Sequence, residues 1–297
     1  MNNSGFCVLH GVDLHSFNSM RIHSNAENFY LPYTTDGMVE VCRLFESIND
    51  FILIGKGSNT IFSKESYDVP VVCTNMLDIC EISGKEFVVQ GGVTLSRLAW
   101  FAQEKGVAGY EFLEDIPGSV GGALFMNAGT YEDTISQLVA DVKIYDFSEK
   151  RAVRLTSDDL SQFWGKRKSY FQQTDCVVLE CRLKADIIDD RTEILEKILK
   201  IKKERYLKQP REYPSAGSVF KRPKADSEQP VYVWKLLEEV GLRGYSVGGA
   251  QVSVKHPGFI VNTGNAVGKD FVDLLNLCKE KVKNEFGTEL EEEWRIV

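Results

Sequence analysis

The amino-acid sequence predicts an α+β protein of more than one domain, and three observations carry that expectation. Short β-rich runs bounded by glycine turns are interspersed with a few longer helical patterns. The 297 residues are enough for two or three cores. A charged helical stretch that runs into Pro210 separates two regions of different texture.

The elements follow in order. Before Asp50 the chain reads as short apolar runs and turns. "DFILIGKGSNTIFS", Asp50 to Ser63, reads as a buried strand, a tight glycine turn and a second strand, and "VPVVCT", Val69 to Thr74, as another β-rich run. "EFVVQGGVTLSRLAWFAQEKGVAG" predicts a strand, a Gly-Gly turn and a helix. Thr94 caps that helix, Leu95, Leu98, Ala99 and Ala102 share one face, and Gly106 closes it. "VADVKIYD", "RAVRLT" and "CVVLECRLKAD" alternate like sheet strands. "DRTEILEKILKIKKERYLKQP" predicts an amphipathic helix that must stop before Pro210, where a domain boundary is expected. Beyond it, a turn-rich stretch leads to a short helix in "VYVWKLLEEVGLRG", ended by Gly241 or Gly244. A strand pair in "GGAQVSVKHPGFIVN", a long helix in "GKDFVDLLNLCKEKVKNEFG" and a terminal strand in "ELEEEWRIV" complete the chain.

Composition narrows the function classes. Hydrophobic residues at 43% and charged residues at 26% are ordinary for a soluble globular protein. A net charge of −8 argues against a general nucleic-acid binder, which needs a basic face. The start, "MNNSGFCVLHGVDLHSF", lacks the basic and apolar regions of a signal peptide. No apolar run approaches the roughly 20 residues of a membrane span. The seven cysteines include no CxxC pair, and the four histidines form no metal-ligand cluster. A reducing, cytoplasmic compartment is expected, with no metal and with most cysteines as small core residues.

Glycine-rich segments carry the chemistry. "GKGSN", Gly55 to Asn59, lacks the GxxxxGK[ST] of a Walker loop and the third glycine of GxGxxG. It can still form a nest of backbone N–H groups for an anion, or serve as a plain strand-connecting turn. "IPGSVGG" and "MNAG" repeat the offer between Ile116 and Gly129, with tight packing of two elements as the alternative. Nothing between Glu114 and Asp133 has the apolar spacing of an amphipathic helix. Together the two segments suggest a dinucleotide held extended across two subdomains. "PSAGSVFKRP" offers Ser218, and no histidine sits near it to make it a nucleophile. Its hydroxyl can relay a proton or merely cap a turn. Lys221, Lys224, Arg211, Arg222, Arg243 and Lys255 concentrate positive charge in the C-terminal part, as an anionic-substrate site or a solvated basic face. "WGKRKSYF" sets Arg167 between aromatics, and "ELEEEWRIV" places Glu293 before Trp294.

Taken together, "NSMRIHSNA", "GKGSNTIFS", "EFLEDIPGSVGGALFMNAGTYED", "YPSAGSVFKRP", "GLRGYSVGGAQVSVKHPGFIVN" and "LEEEWRI" closely resemble the UDP-N-acetylenolpyruvoylglucosamine reductase family, and its shorter type II branch in particular. The resemblance spans nearly the whole chain. It implies a two-part FAD-binding domain of the vanillyl-alcohol-oxidase (PCMH-like) kind plus a C-terminal α+β substrate domain. The expected divisions are 1–74 and 75–207 for the FAD-binding subdomains and 208–297 for the substrate domain. It implies non-covalent FAD contacted by Gly55, Gly57, Ser58, Asn59, Pro117, Gly118, Ser119, Gly122, Asn127 and Ala128. It carries catalytic roles onto Ser218, Arg167 and Glu293, and substrate-side roles onto Lys221, Gln251 and His256. The implied reaction passes electrons from NADPH through FAD to UDP-N-acetylglucosamine enolpyruvate, giving UDP-N-acetylmuramate for peptidoglycan synthesis. Arg167 is suited to stabilise charge on the carboxylate, Ser218 to deliver a proton, and Glu293 to orient or polarise the system. The sequence departs from the family pattern at Lys56, Asp115, Lys166 and Glu292. Two other readings are a related flavin oxidoreductase with another substrate and a flavin- or nucleotide-sugar-binding protein without turnover. No nucleic-acid or membrane partner is expected, and a monomer is the expected assembly.

Overall fold

A computed structural model describes residues 5–47, 50–130, 132–186, 189–223 and 231–297; Lys224 lies outside the described residues. The order is β1 (Phe6–Asp13), β2 (Asn25–Pro32), α1 (Thr35–Phe45), β3 (Ile52–Ile54), β4 (Thr60–Ile61), β5 (Ser66–Tyr67), β6 (Val71–Cys73), β7 (Cys80–Ser83) and β8 (Glu86–Gln90). Then come α2 (Leu95–Lys105), α3 (Val120–Met126), β9 (Val139–Asp146), β10 (Arg151–Thr156), α4 (Ser157–Leu160), β11 (Cys176–Lys184) and α5 (Arg191–Lys208). The chain ends with β12 (Ser215–Ser218), α6 (Val233–Glu239), β13 (Ser246–Val247), β14 (Ala250–Val252), β15 (Phe259–Asn262), α7 (Gly268–Phe286) and β16 (Arg295–Ile296).

These elements form two compact units. The first comprises Met1–His10, Asn28–Lys56 and Val69–Glu204. Its parallel strands β2, β6 and β3 place Phe29 opposite Val71 and Ile54 opposite Cys73. A five-stranded antiparallel sheet runs β10-β9-β11-β8-β7. Alternation along β11 buries Val177, Leu179, Cys181 and Leu183. Val177 and Leu179 pack with Met38, Val41, Cys42 and Phe45 of α1, while Cys181 and Leu183 join the core under α2 and α3.

Three helices in this unit are not legible as helices in the sequence, among them the one-turn α4. In α1 the buried Met38, Val41, Cys42 and Phe45 do have helical spacing, but Gly37 and three consecutive β-branched or polar residues obscure its start. Thr34 caps it, accepting a hydrogen bond from the Gly37 N–H at 2.9 Å. The segment between Glu114 and Asp133, expected to lack a helix, contains α3. This helix is only seven residues long and buries Val120, Ala123 and Leu124, too few to show a period. Its small residues serve a close approach: the Gly121 N–H donates to the Gly91 carbonyl at 2.8 Å, and a Cβ on Gly121 would stand 3.1 Å from that oxygen.

The second unit comprises Gly11–Glu27, Gly57–Asp68 and Arg205–Val297. Its antiparallel sheet runs β12-β15-β14-β13, and β16 pairs in parallel with β4. Helix α7 buries Phe271, Leu274, Leu275, Cys278 and Val282 along one face, and Gly287 ends it in the left-handed conformation. Phe271 meets the Trp294 ring edge-on at 6.4 Å.

Candidate active site

In the first unit the site begins at the carboxyl ends of parallel strands. Gly55 follows β3, and Thr74 follows β6 beside it, with the Thr74 hydroxyl donating to the Ile54 carbonyl at 3.4 Å. Ligands of α/β sheets bind beyond such strand ends. Ser119, which caps α3, stands against Gly55 so closely that a Cβ on Gly55 would collide with its hydroxyl. The adjacent Gly118 has φ 142°, open to glycine and strained for other residues. A side chain at Gly55 would force the Ser119 hydroxyl aside, and one at Gly121 would crowd the Gly91 carbonyl. Gly122 is different: a Cβ there would meet only Ser119 Oγ, at an ordinary 3.6 Å. Beside this cradle, Asn75 Oδ1 is buried without a hydrogen-bond partner, and sequence reasoning passed over it. An open glycine and an orphaned acceptor at strand ends fit a bound dinucleotide such as FAD.

Asn127 and Ala128 end α3. Asn127 adopts φ 42°, and its side chain is committed to protein: Nδ2 donates to the Gly165 carbonyl at 2.9 Å, and Oδ1 accepts from the Ser136 N–H at 3.4 Å. The Ser169 hydroxyl donates to the Phe125 carbonyl at 2.7 Å. These two bonds hang the turn from Gly165 to Lys168 on the end of α3. Reciprocal backbone bonds of 3.2 and 3.1 Å close that turn, with Lys166 and Arg167 at its tip. Arg167 has φ 56°, a conformation in which most side chains are strained. Asp115, one of the family departures, likewise has φ 64°, and its N–H donates to Ser96 Oγ at 3.3 Å. Aspartate is among the non-glycine residues that tolerate this left-handed backbone best.

In the second unit the chain terminus runs beside the serine strand. The Lys221 N–H donates to the Glu291 carbonyl and the Glu293 N–H to the Val219 carbonyl, both at 2.8 Å. Trp294 Nε1 donates to the Ala216 carbonyl at 3.0 Å. The terminus then changes partner: the Arg295 N–H donates to the Asn59 carbonyl at 2.9 Å, and Asn59 Nδ2 donates to the Glu293 carbonyl at 2.9 Å. Asn59, Ser218 and Glu293 are thus brought onto adjoining segments. Ser218 is exposed and Glu293 half-buried. Gly57, with φ 59°, lies so close to the Phe17 carbonyl that a Cβ would collide with it. Ser58 links Gly57 to Asn59 in this unit, while Pro117 belongs to the first.

The substrate-side residues have protein partners. Lys221 pairs with Glu291, and Gln251 Nε2 donates to Ser246 Oγ at 3.0 Å. His256 Nδ1 accepts the Gly258 N–H at 3.1 Å, which puts its proton on Nε2. Burial of the imidazole lowers its pKa below the ordinary 6.5. Above that value both folded and unfolded chains hold it neutral. As pH falls below it the unfolded chain binds the proton first, so stability is lost until the folded value is passed. The melting temperature should fall as pH drops below about 6.5, and His256→Gln should remove that part of the slope. An unchanged slope in the variant would take His256 out of this linkage.

Glu292 stands where the family usually has proline, and the structure explains why either is accepted. Opposite Phe220 it forms a bridge whose ladder bonds come from its neighbours, so its own N–H donates nothing across. Its carboxylate pairs with Lys279 of α7. Burial is the largest influence and opposes ionisation, but the Lys279 hydrogen bond, the Glu292 backbone N–H and the Lys279 and Lys221 charges together outweigh it and hold the carboxyl below its usual range. Glu292→Pro should fold and lose only about 1 kcal/mol, the scale of a partly exposed pair. Urea unfolding reads this directly, and a loss of several kcal/mol would show that the backbone there rejects proline.

Comparisons with known proteins bear on the fold and the family. Residues 26–149 match the FAD binding domain family, and residues 209–297 match the family described as UDP-N-acetylenolpyruvoylglucosamine reductase, C-terminal domain. The UDP-N-acetylenolpyruvoylglucosamine reductase of Thermotoga maritima is 36% identical over 279 residues, 94% of each chain. That of Thermotoga sp. strain RQ2 is 39% identical over 246 residues, 83% of this chain and 79% of the relative. The crystal structure of UDP-N-acetylenolpyruvylglucosamine reductase (MurB) from Thermus caldophilus superposes with a TM-score of 0.80 at 27% identity, covering 98% of this chain and 99% of that one. Fold and site make the chain an FAD-dependent oxidoreductase of α+β architecture. It belongs to the UDP-N-acetylenolpyruvoylglucosamine reductase family.

Proposed function

We propose that this protein uses NADPH to reduce the enolpyruvyl double bond of UDP-N-acetylglucosamine enolpyruvate, yielding UDP-N-acetylmuramate for peptidoglycan synthesis. The observation that carries this reading is the Thermotoga maritima relative, which matches along 94% of both chains and is named for that reductase. The two domain matches and the segment pairing that sets Ser218 beside the strand of Glu293 support it. A flavin oxidoreductase with another substrate and a binder without turnover are not favoured, since the matched relatives carry the reductase name.

FAD, when bound, supplies the two-electron chemistry that links NADPH to a carbon–carbon double bond. The strand-end cradle at Gly55, Ser119 and Gly122 would hold it, with Pro117 and Gly118 shaping the approach. On the second unit Gly57, Ser58 and Asn59 would add main-chain and side-chain donors. Asn127 and Ala128 would act by fixing the end of α3. The Arg167 guanidinium stabilises negative charge on the substrate carboxylate as the double bond is reduced. The Ser218 hydroxyl delivers a proton to the carbon alpha to that carboxylate. Glu293 orients the reacting groups, and Lys221, Gln251 and His256 contact the nucleotide-sugar side. Residues 1–207 then serve cofactor binding and 208–297 substrate binding. A monomer is the assembly we propose, and the soluble substrates support a cytoplasmic site of action. Among the described residues no helix is long and apolar enough to cross a membrane, and no cluster of His, Cys, Asp or Glu could hold a metal.

The test is direct. The purified protein should be yellow, release its flavin into the supernatant on acid precipitation, and oxidise NADPH in proportion to added enolpyruvyl substrate. A colourless protein that takes up no FAD, or NADPH oxidation indifferent to that substrate, would defeat the reading.

A further inference from the structure

Asn75 lies in the short turn Thr74–Met76 that follows β6, one strand over from Gly55 at the end of β3. Its neighbours fix it firmly. Thr74 is bonded to Ile54, and the Thr74 carbonyl stands so close to Gly92 that a Cβ there would collide with it. The Gly92 N–H donates to the Leu77 carbonyl at 2.8 Å, which ties the far side of the same turn to the Gly91–Gly92 turn. Gly91 in turn receives the first turn of α3. The Asn75 backbone is therefore held where the ends of two parallel strands, the Gly91–Gly92 turn and the start of α3 come together.

Within that rigid surround its Oδ1 is buried and has no partner. Among the described residues only one other buried side-chain oxygen shares that condition, Glu114 Oε2, and its carboxylate is already anchored by Lys202 at 2.8 Å. A buried acceptor left unmatched costs free energy, and native proteins seldom tolerate one without a use. The strand ends are where an α/β sheet receives its ligand, and Gly122, the glycine that packing does not demand, belongs to the same cradle.

We infer that Asn75 Oδ1 accepts a hydrogen bond from an O–H or N–H group of the bound FAD, making Asn75 a cofactor-binding residue outside both glycine-rich segments. The inference rests on the FAD-binding reading above. Sequence alone hides it, because Asn75 belongs to no glycine motif and reaches the cradle only through the parallel pairing of β6 with β3.

The experiment measures FAD affinity by flavin-fluorescence titration of apoprotein for the wild-type chain, Asn75→Ala and Asn75→Asp, with the thermal unfolding of each apoprotein as the fold control. Wild-type binding first tests the underlying reading on its own. The alanine variant should then bind roughly 10- to 100-fold more weakly while its apoprotein melts within a few degrees of wild type, because only the bound state loses a partner. The aspartate variant keeps an acceptor in place and should stay within about threefold of wild type. An alanine variant with unchanged FAD affinity overturns the inference. So does an aspartate variant as weak as alanine, since it would mean that the amide presents its N–H₂ group to the cofactor.

Discussion

Ser218→Ala should separate the two half-reactions. Reduction of the bound cofactor by NADPH requires no proton at the substrate carbon, so that phase should run at nearly the wild-type rate. Reoxidation by the enolpyruvyl substrate requires it and should slow by roughly 10² to 10⁴, the usual worth of a positioned proton donor. The structure gives the serine a fixed place. It closes β12 opposite Phe259, and the next residues are clamped to the chain terminus by the Glu293–Val219 and Lys221–Glu291 bonds. Its hydroxyl is left exposed at the end of that ladder. If Ser218 only shaped the turn, its loss would cost about 1 kcal/mol of stability and spare both phases. Stopped-flow flavin absorbance reads the phases separately. Equal slowing of both would point to a displaced cofactor, and unslowed reoxidation would remove Ser218 from the mechanism.

What the sequence makes legible depends on whether the cause is local. Helix α2 is readable because its Thr94 cap, apolar face and Gly106 stop all lie within it, and the structure shows each of them. The same holds for α7 and its closing Gly287. Helix α3 is unreadable because its small residues answer to Gly91, which is distant along the chain. The glycine-rich segments stand out in the sequence, yet composition cannot sort glycines that face protein from one that does not. Only the packing separates Gly121, pressed on a carbonyl, from Gly122, which has room. Asparagines show the same limit. Asn127 and Asn59 sit in ligand-like motifs, and only the structure shows that their side-chain amides also donate to the Gly165 and Glu293 carbonyls.

Arg167→Gly should abolish most substrate-dependent reoxidation without unfolding the protein. Arginine is costly at this position: with φ 56° it occupies backbone that glycine adopts freely, and such strain amounts to about 1 kcal/mol or more. Backbone strain of this kind clusters at functional sites, which makes Arg167 a candidate for a role beyond folding. Replacement by glycine removes the guanidinium and the strain together, so stability should change by no more than about 1 kcal/mol in either direction. Reoxidation should fall by roughly 10² to 10³, as when one charge-stabilising donor is lost from a preorganised site. Arg167→Lys retains the charge and the strained backbone but not the planar fork that matches a carboxylate, so it should recover only part of the rate. The turn itself can be tested apart from the guanidinium. Asn127→Ala removes the bond to Gly165 and leaves the Ser169–Phe125 bond in place. It should slow reoxidation less than Arg167→Gly, because the arginine stays present on a loosened support. Reduction by NADPH should be nearly unaffected in all three variants. An Arg167→Gly protein that reoxidises at the wild-type rate would confine Arg167 to a structural part, and one that unfolds would show that the contacts of its side chain outweigh the strain of its backbone.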